Sequence, residues 1–290
     1  MHSIRLPFHL ELNHVYAHAV PDGDGWILVD TGFGTEESFE ALQAGLRSHG
    51  VAWRDLHTIL LTHCHPDHMA WAARIRELSG ALLRMHPLEV DFLERMSGPP
   101  RLDPNLERWG TPPDLAGQVA ESMAVTGRVF HTLTPDRPLE DGGRAGPLEA
   151  VWTPGHARGH LCLLHREQRY LISGDHVLPT ITPHVAWTPE GDALADFLRS
   201  LDRVASLDVD TVIPSHGEPF AGLAARAREI ARHHEWRCQM IRRAQAEGAR
   251  SPHEIVGKLW NRDVFPLSPF QYRFAIYEVM AHIRFMEHAA

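Results

Sequence analysis

Short apolar runs and amphipathic stretches follow one another along the chain. Residues 8–20 alternate loosely through Phe8, Leu10, Leu12, Val15 and Tyr16 and read as a strand. The turn Pro21-Asp22-Gly23-Asp24-Gly25 leads into Trp26-Ile27-Leu28-Val29-Asp30, a second strand, so the pair predicts a hairpin. Residues 36–50 carry Phe39, Leu42 and Leu46 at helical spacing. Thr58-Ile59-Leu60-Leu61 is a buried strand, residues 69–78 an amphipathic helix closed near Gly80, and residues 81–86 another strand. Further strands are expected at 129–134, 148–153 and 211–214, a hairpin at 161–165 with 169–173, and a helix at 196–207. From residue 223 onward the pattern is wholly helical. One helix runs to about Glu247 and stops at Gly248. Ser251-Pro252-His253-Glu254 caps a second that reaches Trp260, and Ser268-Pro269 opens a third that reaches about His288.

Strands interleaved with helices indicate an α/β fold, and 290 residues with 43% apolar content allow one large domain plus an appendage. The division is expected at 1–221 and 222–290. Charge supports it. The net charge is −9, yet residues 1–220 hold 17 Lys+Arg against 30 Asp+Glu, and residues 221–290 hold 11 against 7. An acidic body argues against bulk nucleic-acid affinity, and the basic tail keeps it as a lesser alternative. Three widely spaced cysteines imply no disulfide framework, no apolar run approaches a membrane span, and Met1–Pro7 has no signal-like core. A cytoplasmic protein without membrane contact is expected.

The densest chemistry lies at Thr62-His63-Cys64-His65-Pro66-Asp67-His68, on the turn from a strand into a helix. In extended chain His63 and His65 point the same way. Pro66 is expected to hold the chain out of the helix, so that Asp67 and His68 turn toward a second point. Imidazole and carboxylate suit zinc and other first-row metals, and the spacing allows two ions. Cys64 should point away and pack.

This stretch matches the H-x-H-x-D-H signature of the metallo-β-lactamase fold superfamily. Asp30-Thr31-Gly32, Thr153-Pro154-Gly155-His156, Ser173-Gly174-Asp175-His176 and Pro214-Ser215-His216-Gly217 follow strands in that family's order. The chain is therefore identified as resembling the superfamily over about residues 8–220, in its glyoxalase II and lactamase-β-like hydrolase branch. The resemblance implies a four-layer αββα sandwich with a small all-helical C-terminal module. It implies His63, His65 and His156 on one metal, Asp67, His68 and His216 on a second, and Asp175 as the bridge. Asp67 and Asp175 are then the catalytic carboxylates, and Asp30 and Thr62 brace the motif from behind. His160 would be structural, while His176 and His184 are candidates to face substrate. Two zinc ions are implied, with iron or manganese as alternatives. His65 stands where flavodiiron proteins place Glu, which favours zinc. The expected reaction is attack of a metal-bridging hydroxide on a small ester or thioester; the alternatives are a metal-dependent ribonuclease and a non-catalytic metal or nucleic-acid binding protein. A homodimer is left open. The proline-rich segment 87–129 resembles the helical insertion that related hydrolases place over the site, and a solvated surface loop is the other reading.

Overall fold

The computed structural model describes residues 1–8, 12–96, 102–127, 133–260 and 267–288, with side chains of 124–127 left aside. Two five-stranded sheets form its centre. The first contains β1 (His2–Pro7), β2 (His14–Asp22), β3 (Gly25–Val29), β4 (Leu56–Leu60) and β5 (Leu82–Arg84), in that order. The second runs β10 (Thr211–Pro214), β9 (Tyr170–Gly174), β8 (Leu161–His165), β7 (Leu148–Trp152), β6 (Arg144–Ala145). Each sheet joins antiparallel neighbours to a parallel crossover: β3, β4 and β5 are parallel in the first, β9 and β10 in the second.

Period-two alternation assigns each side chain to a layer. Ile27, Val29 and Leu60 face inward and meet Leu161, Leu163, Ile172 and Ile213 between the sheets. Leu28, Ile59 and Leu61 face outward and pack under α1 (Glu36–Ser48) and α3 (Ala72–Ser79), through Phe39, Leu42, Leu46 and Ile75. Cys162, Leu164, Leu171 and Val212 do the same on the second sheet, under α7 (Ala193–Ala205) and the first turns of α8 (Leu223–Ala246), through Phe197, Leu201, Ala227 and Ile230. The four-layer αββα sandwich follows.

The described part of segment 87–127 is mainly helical: α4 (Leu88–Met96), α5 (Pro104–Arg108) and α6 (Pro113–Gly127). Leu106, Trp109, Ala116 and Val119 share one core with Ile241 and Ala244 of α8, Ile255 and Val256 of α9 (Pro252–Leu259), and Tyr272 and Ile276 of α10 (Pro269–His288). The α5 and α6 part of the insertion and the C-terminal helices thus share one core, α4 packs on the first sheet through Leu93, and α8 runs from the sandwich into the shared core.

Several boundaries differ from expectation for local reasons. Residues 2–7 form an edge strand that the pattern did not announce, because only Ile4 and Leu6 of it are buried. The helix expected at 69–78 is split, a single turn α2 (Pro66–Met69) preceding α3. The helix expected at 196–207 begins at Ala193, capped by Asp192. The strand expected at 129–134 lies mainly outside the described residues. Cys64 is buried with its Sγ on Met85, and all three cysteines are free. No helix among the described residues is long and apolar enough to cross a membrane.

Candidate metal centre

Four strand ends converge at one rim of the sandwich. Asp30, just past β3, takes the left-handed conformation (φ 58°) that few side-chain-bearing residues adopt. Its carboxylate accepts from the Thr62 amide at 2.8 Å and the Thr62 hydroxyl at 2.8 Å, and from His68 Nδ1 at 2.9 Å. The Thr62 carbonyl accepts from the Leu161 amide at 2.8 Å, which joins the two sheets at this rim. Asp30 and Thr62 are thus hydrogen-bonded across the start of the motif loop.

Pro66 does not keep the chain out of the helix. It occupies the first helical position of α2, with extended His65 as the cap, and the helical turn itself carries Asp67 and His68 away from His63 and His65. Proline is well suited there, since that amide has no helical partner to lose.

The seven expected ligands meet in two groups. One is His63, His65 and His156; the other is Asp67, His68, Asp175 and His216; within each, donor atoms lie within 4.8 Å of one another. His65 Nδ1 is 3.0 Å from His63 Nε2 and 2.9 Å from His156 Nε2. Asp175 spans the groups: Oδ2 is 3.6 Å from His156 Nε2, and Oδ1 is 3.5 Å from both His68 Nε2 and His216 Nε2. The Asp67 carboxylate lies 3.2 Å from His216 Nε2, and at 13% exposed it is about as accessible as that of Asp175 at 12%.

Hydrogen bonds behind the rings fix which nitrogen faces inward. Thr62 Oγ1 donates to Asp30 and so accepts from His63 Nδ1 at 3.1 Å. His156 Nδ1 donates to the His184 carbonyl at 2.7 Å, and His216 Nδ1 to the His14 carbonyl at 2.7 Å. With the Asp30 bond to His68, four rings present Nε2 to the centre. The buried Nε2 atoms of His68 and His216 make no well-aligned hydrogen bond. Such atoms are costly to bury unless something ligates them, and imidazoles so arranged fit a metal.

Electrostatics separates the groups. Burial pushes His63 well below the ordinary histidine value, His65 down to about 3 and His156 downward, so these are neutral imidazoles. Burial acts the same way on His68, but Asp67, Asp175 and Asp30 outweigh it and hold that ring well above its usual value. His216 rises to about 10, because Asp175 and Asp67 outweigh its burial. Burial would raise Asp175, yet His216 and His68 hold it well below the carboxylate range.

His160 Nδ1 bonds Thr153 Oγ1 at 2.7 Å, and its Nε2 accepts the Asp175 amide at 3.2 Å, a structural role. A Cβ on Gly174 would stand 2.6 Å from that Nε2, and its φ is 50°, so glycine is required there. His176 corrects an expectation. It is fully buried, edge-on to Phe197 at 4.9 Å, because it turns under the second sheet and not toward the opening. His184 places its Nε2 on the Phe274 carbonyl at 2.9 Å. Two contributors went unread in the sequence. Buried Glu89 of α4 accepts from the Cys64 amide at 2.7 Å and the Gly159 amide at 2.8 Å, joining the loops that carry the first group. His14 acts through its carbonyl, for which no side-chain signal exists.

The metallo-beta-lactamase superfamily profile matches residues 12–216. The chain is 28% identical over 254 residues to lactamase-like protein vrtG of Penicillium aethiopicum, covering 86% of this chain and 66% of that one. It is 26% identical over 283 residues to the probable metallo-hydrolase YqjP of Bacillus subtilis (strain 168), covering 89% and 84%. It thus spans about two thirds of the length of the fungal relative. The metallo-beta-lactamase family protein TTHA1429 of Thermus thermophilus superposes with a TM-score of 0.83 at 29% identity, covering 99% of this chain and 93% of the other. Two donor groups on the strand ends of an αββα sandwich and a profile match over most of the chain lead to one conclusion: the chain belongs to the metallo-β-lactamase superfamily of metal-dependent hydrolases.

Proposed function

We propose that the protein binds two metal ions, zinc in preference to iron or manganese, and hydrolyses a small ester or thioester. The observation that carries this reading is the convergence of seven donors into two adjacent groups, with buried His68 and His216 Nε2 atoms that make no well-aligned hydrogen bond. When bound, the ions would lower the pKa of a shared water and polarise the substrate carbonyl. The chain's own part is positional. Asp175 faces one carboxylate oxygen to each group and keeps them in register. Asp67, whose carboxylate is partly exposed and is not the one shared with the first group, is the carboxylate assigned to hold a proton of the attacking water. Phe92 lies 5.9 Å from His65 and Phe8 6.1 Å from His216, so aromatic rings border the opening.

The arginines of α8 support a small substrate over RNA. Arg226 pairs with Glu229, Arg243 with Glu247, and Arg237 with Glu278, which leaves fewer charges for phosphate. On this reading 1–221 is the catalytic domain and 222–290 a helical module packed against it. Metal analysis after zinc reconstitution is expected to give about two ions per chain. Turnover of esters or thioesters, and none of RNA, is expected across a substrate panel. Stoichiometry near zero rejects the metal centre, and cleavage of RNA alone favours the ribonuclease.

A further inference from the structure

The segment between Asp175 and α7 has little regular structure of its own, yet the C-terminal helices hold it at many points. Arg226 of α8 donates from Nε to the Leu178 carbonyl at 2.7 Å and from Nη2 to the Ile181 carbonyl at 2.8 Å. From α10, the Phe274 carbonyl meets His184 Nε2 at 2.9 Å, and the Tyr277 carbonyl accepts the Trp187 amide at 3.1 Å. Arg284 donates to the Thr188 carbonyl at 2.5 Å and the Gly191 carbonyl at 2.9 Å. His288 Nδ1 lies 3.1 Å from the Asp192 carboxylate. Long cationic side chains that spend their donors on main-chain carbonyls fix a backbone path.

That path ends at the metal centre. The His184 carbonyl, in the middle of the held segment, is the acceptor for His156 Nδ1. Two acceptor-only groups then dictate two ring states in series. Phe274 O requires the proton of His184 on Nε2, and His184 O requires the proton of His156 on Nδ1, which leaves His156 Nε2 bare toward His65. The backbone of the His156 loop is held separately. Gly155 presses so closely on α7 that a Cβ would stand 2.4 Å from Phe197 Cβ, and Ser200 Oγ donates to the Pro154 carbonyl at 2.9 Å. The ring of His156 thus depends on a connection that its own loop does not supply.

We propose that the C-terminal helices act as a clamp that orients the ligand His156, with His184 as the positioning residue between them. This rests on the reading of His156 as a metal ligand.

Zinc titration of the full-length apoprotein against a chelator of known affinity tests it, alongside the imidazole nitrogen NMR spectrum without metal. In His184→Ala one zinc ion is expected to weaken by roughly 10–100-fold, the range for loss of a ligand's outer partner, while the other changes less than about threefold. The His156 Nδ1–H signal should broaden or shift. His184→Gln, whose amide can still donate to the Phe274 carbonyl, should restore most of the affinity. Arg226→Ala, which releases the same segment from α8, should weaken the same ion by a smaller factor and serves if His184→Ala does not fold. Unchanged zinc affinities and an unchanged His156 signal in a folded His184→Ala protein overturn the clamp. So does equal weakening of both ions that Gln does not rescue. If His156→Ala leaves both affinities at the wild-type value, the ligand assignment itself fails, and the clamp with it.

Discussion

The two donor groups share a wall at Asp175 but are secured from different directions. In the second group the rings are tied to strand ends, His68 to the Asp30 carboxylate and His216 to the His14 carbonyl, while Ser215 donates to Asp175. In the first group only His63 is tied to the sheet, through Thr62. His156 leans on a loop carbonyl that the C-terminal helices hold in place. The groups differ in composition too, since the first holds three imidazoles and the second sets two imidazoles among two carboxylates. One group is therefore as rigid as the sandwich, and the other is only as rigid as the helical body beside it.

The residue common to both groups offers the strongest way to break that contrast. Asp175→Asn should abolish measurable turnover and weaken both metal ions, by more than the roughly 10–100-fold expected when an outer partner is lost. Metal titration and activity assays check this, and selective loss of one ion would show that Asp175 does not span the groups. Asp30→Ala should act on the second group. It strips a buried carboxylate from three donors, so about 3–5 kcal/mol of stability is expected to go, as when one partner of a buried pair is removed. Denaturant unfolding measures that loss, and zinc titration should place the affinity defect with Asp67, His68 and His216.

Glu89→Gln probes the loops of the first group. Glutamine keeps one acceptor and turns an amide donor toward the other backbone N–H, at a cost of about 1–3 kcal/mol for an orphaned buried donor. An unchanged unfolding midpoint would mean that the loops are held without it.

The smallest effect concerns acid and the helical body alone. His282 Nδ1 donates to the Glu278 carbonyl, so His282 Nε2 accepts from His234 Nδ1 at 3.1 Å. Burial, with His282 and Arg237 opposing its charge, lowers His234 to about 2; burial, with Arg237 and against the pull of the Glu278 carbonyl, lowers His282 to about 4. His233 adds to this at both rings, and His184 at His234. Unfolded histidine titrates near 6.5. Above that pH neither state is protonated and the pair has no pH dependence. Between about 6.5 and 4 the unfolded chain gains protons that the native pair refuses, so stability falls as pH falls. Melting temperature measured from pH 7 to pH 4 should decline, and His234→Gln should flatten part of the decline.

The sequence reveals what is local. Three histidines and an aspartate within one turn announce the centre, and an acid or histidine after each apolar run announces the strand ends. The apolar runs Trp26–Asp30 and residues 161–165 announce strands, although runs apolar on both faces do not say which side chain belongs to which layer. What stays hidden depends on distance or on the backbone. The pattern of α8 shows that it has a buried face but not that Ile241 and Ala244 meet Val119 of the insertion. Glu89 sits in an ordinary helix and becomes special only because two distant amides point at it. Strand β1 is concealed by its edge position, where one face remains polar. His176 misleads for the opposite reason: it directly follows a site residue in sequence, and a one-residue step turns the next side chain into the core.

Asp30 leaves this fold almost no room for substitution. Its backbone geometry favours glycine, asparagine and aspartate over other residues. Its two oxygens accept from three donors, so the side chain must be a short carboxylate. Glycine satisfies the first demand and not the second; asparagine offers an amino group where a lone pair is needed; glutamate keeps the charge but adds a methylene and leaves the favoured backbone set. Random drift at this codon meets a wall on every side, and its constancy would be enforced by conformation and hydrogen bonding together, although Asp30 touches neither ion nor substrate in the proposed reaction.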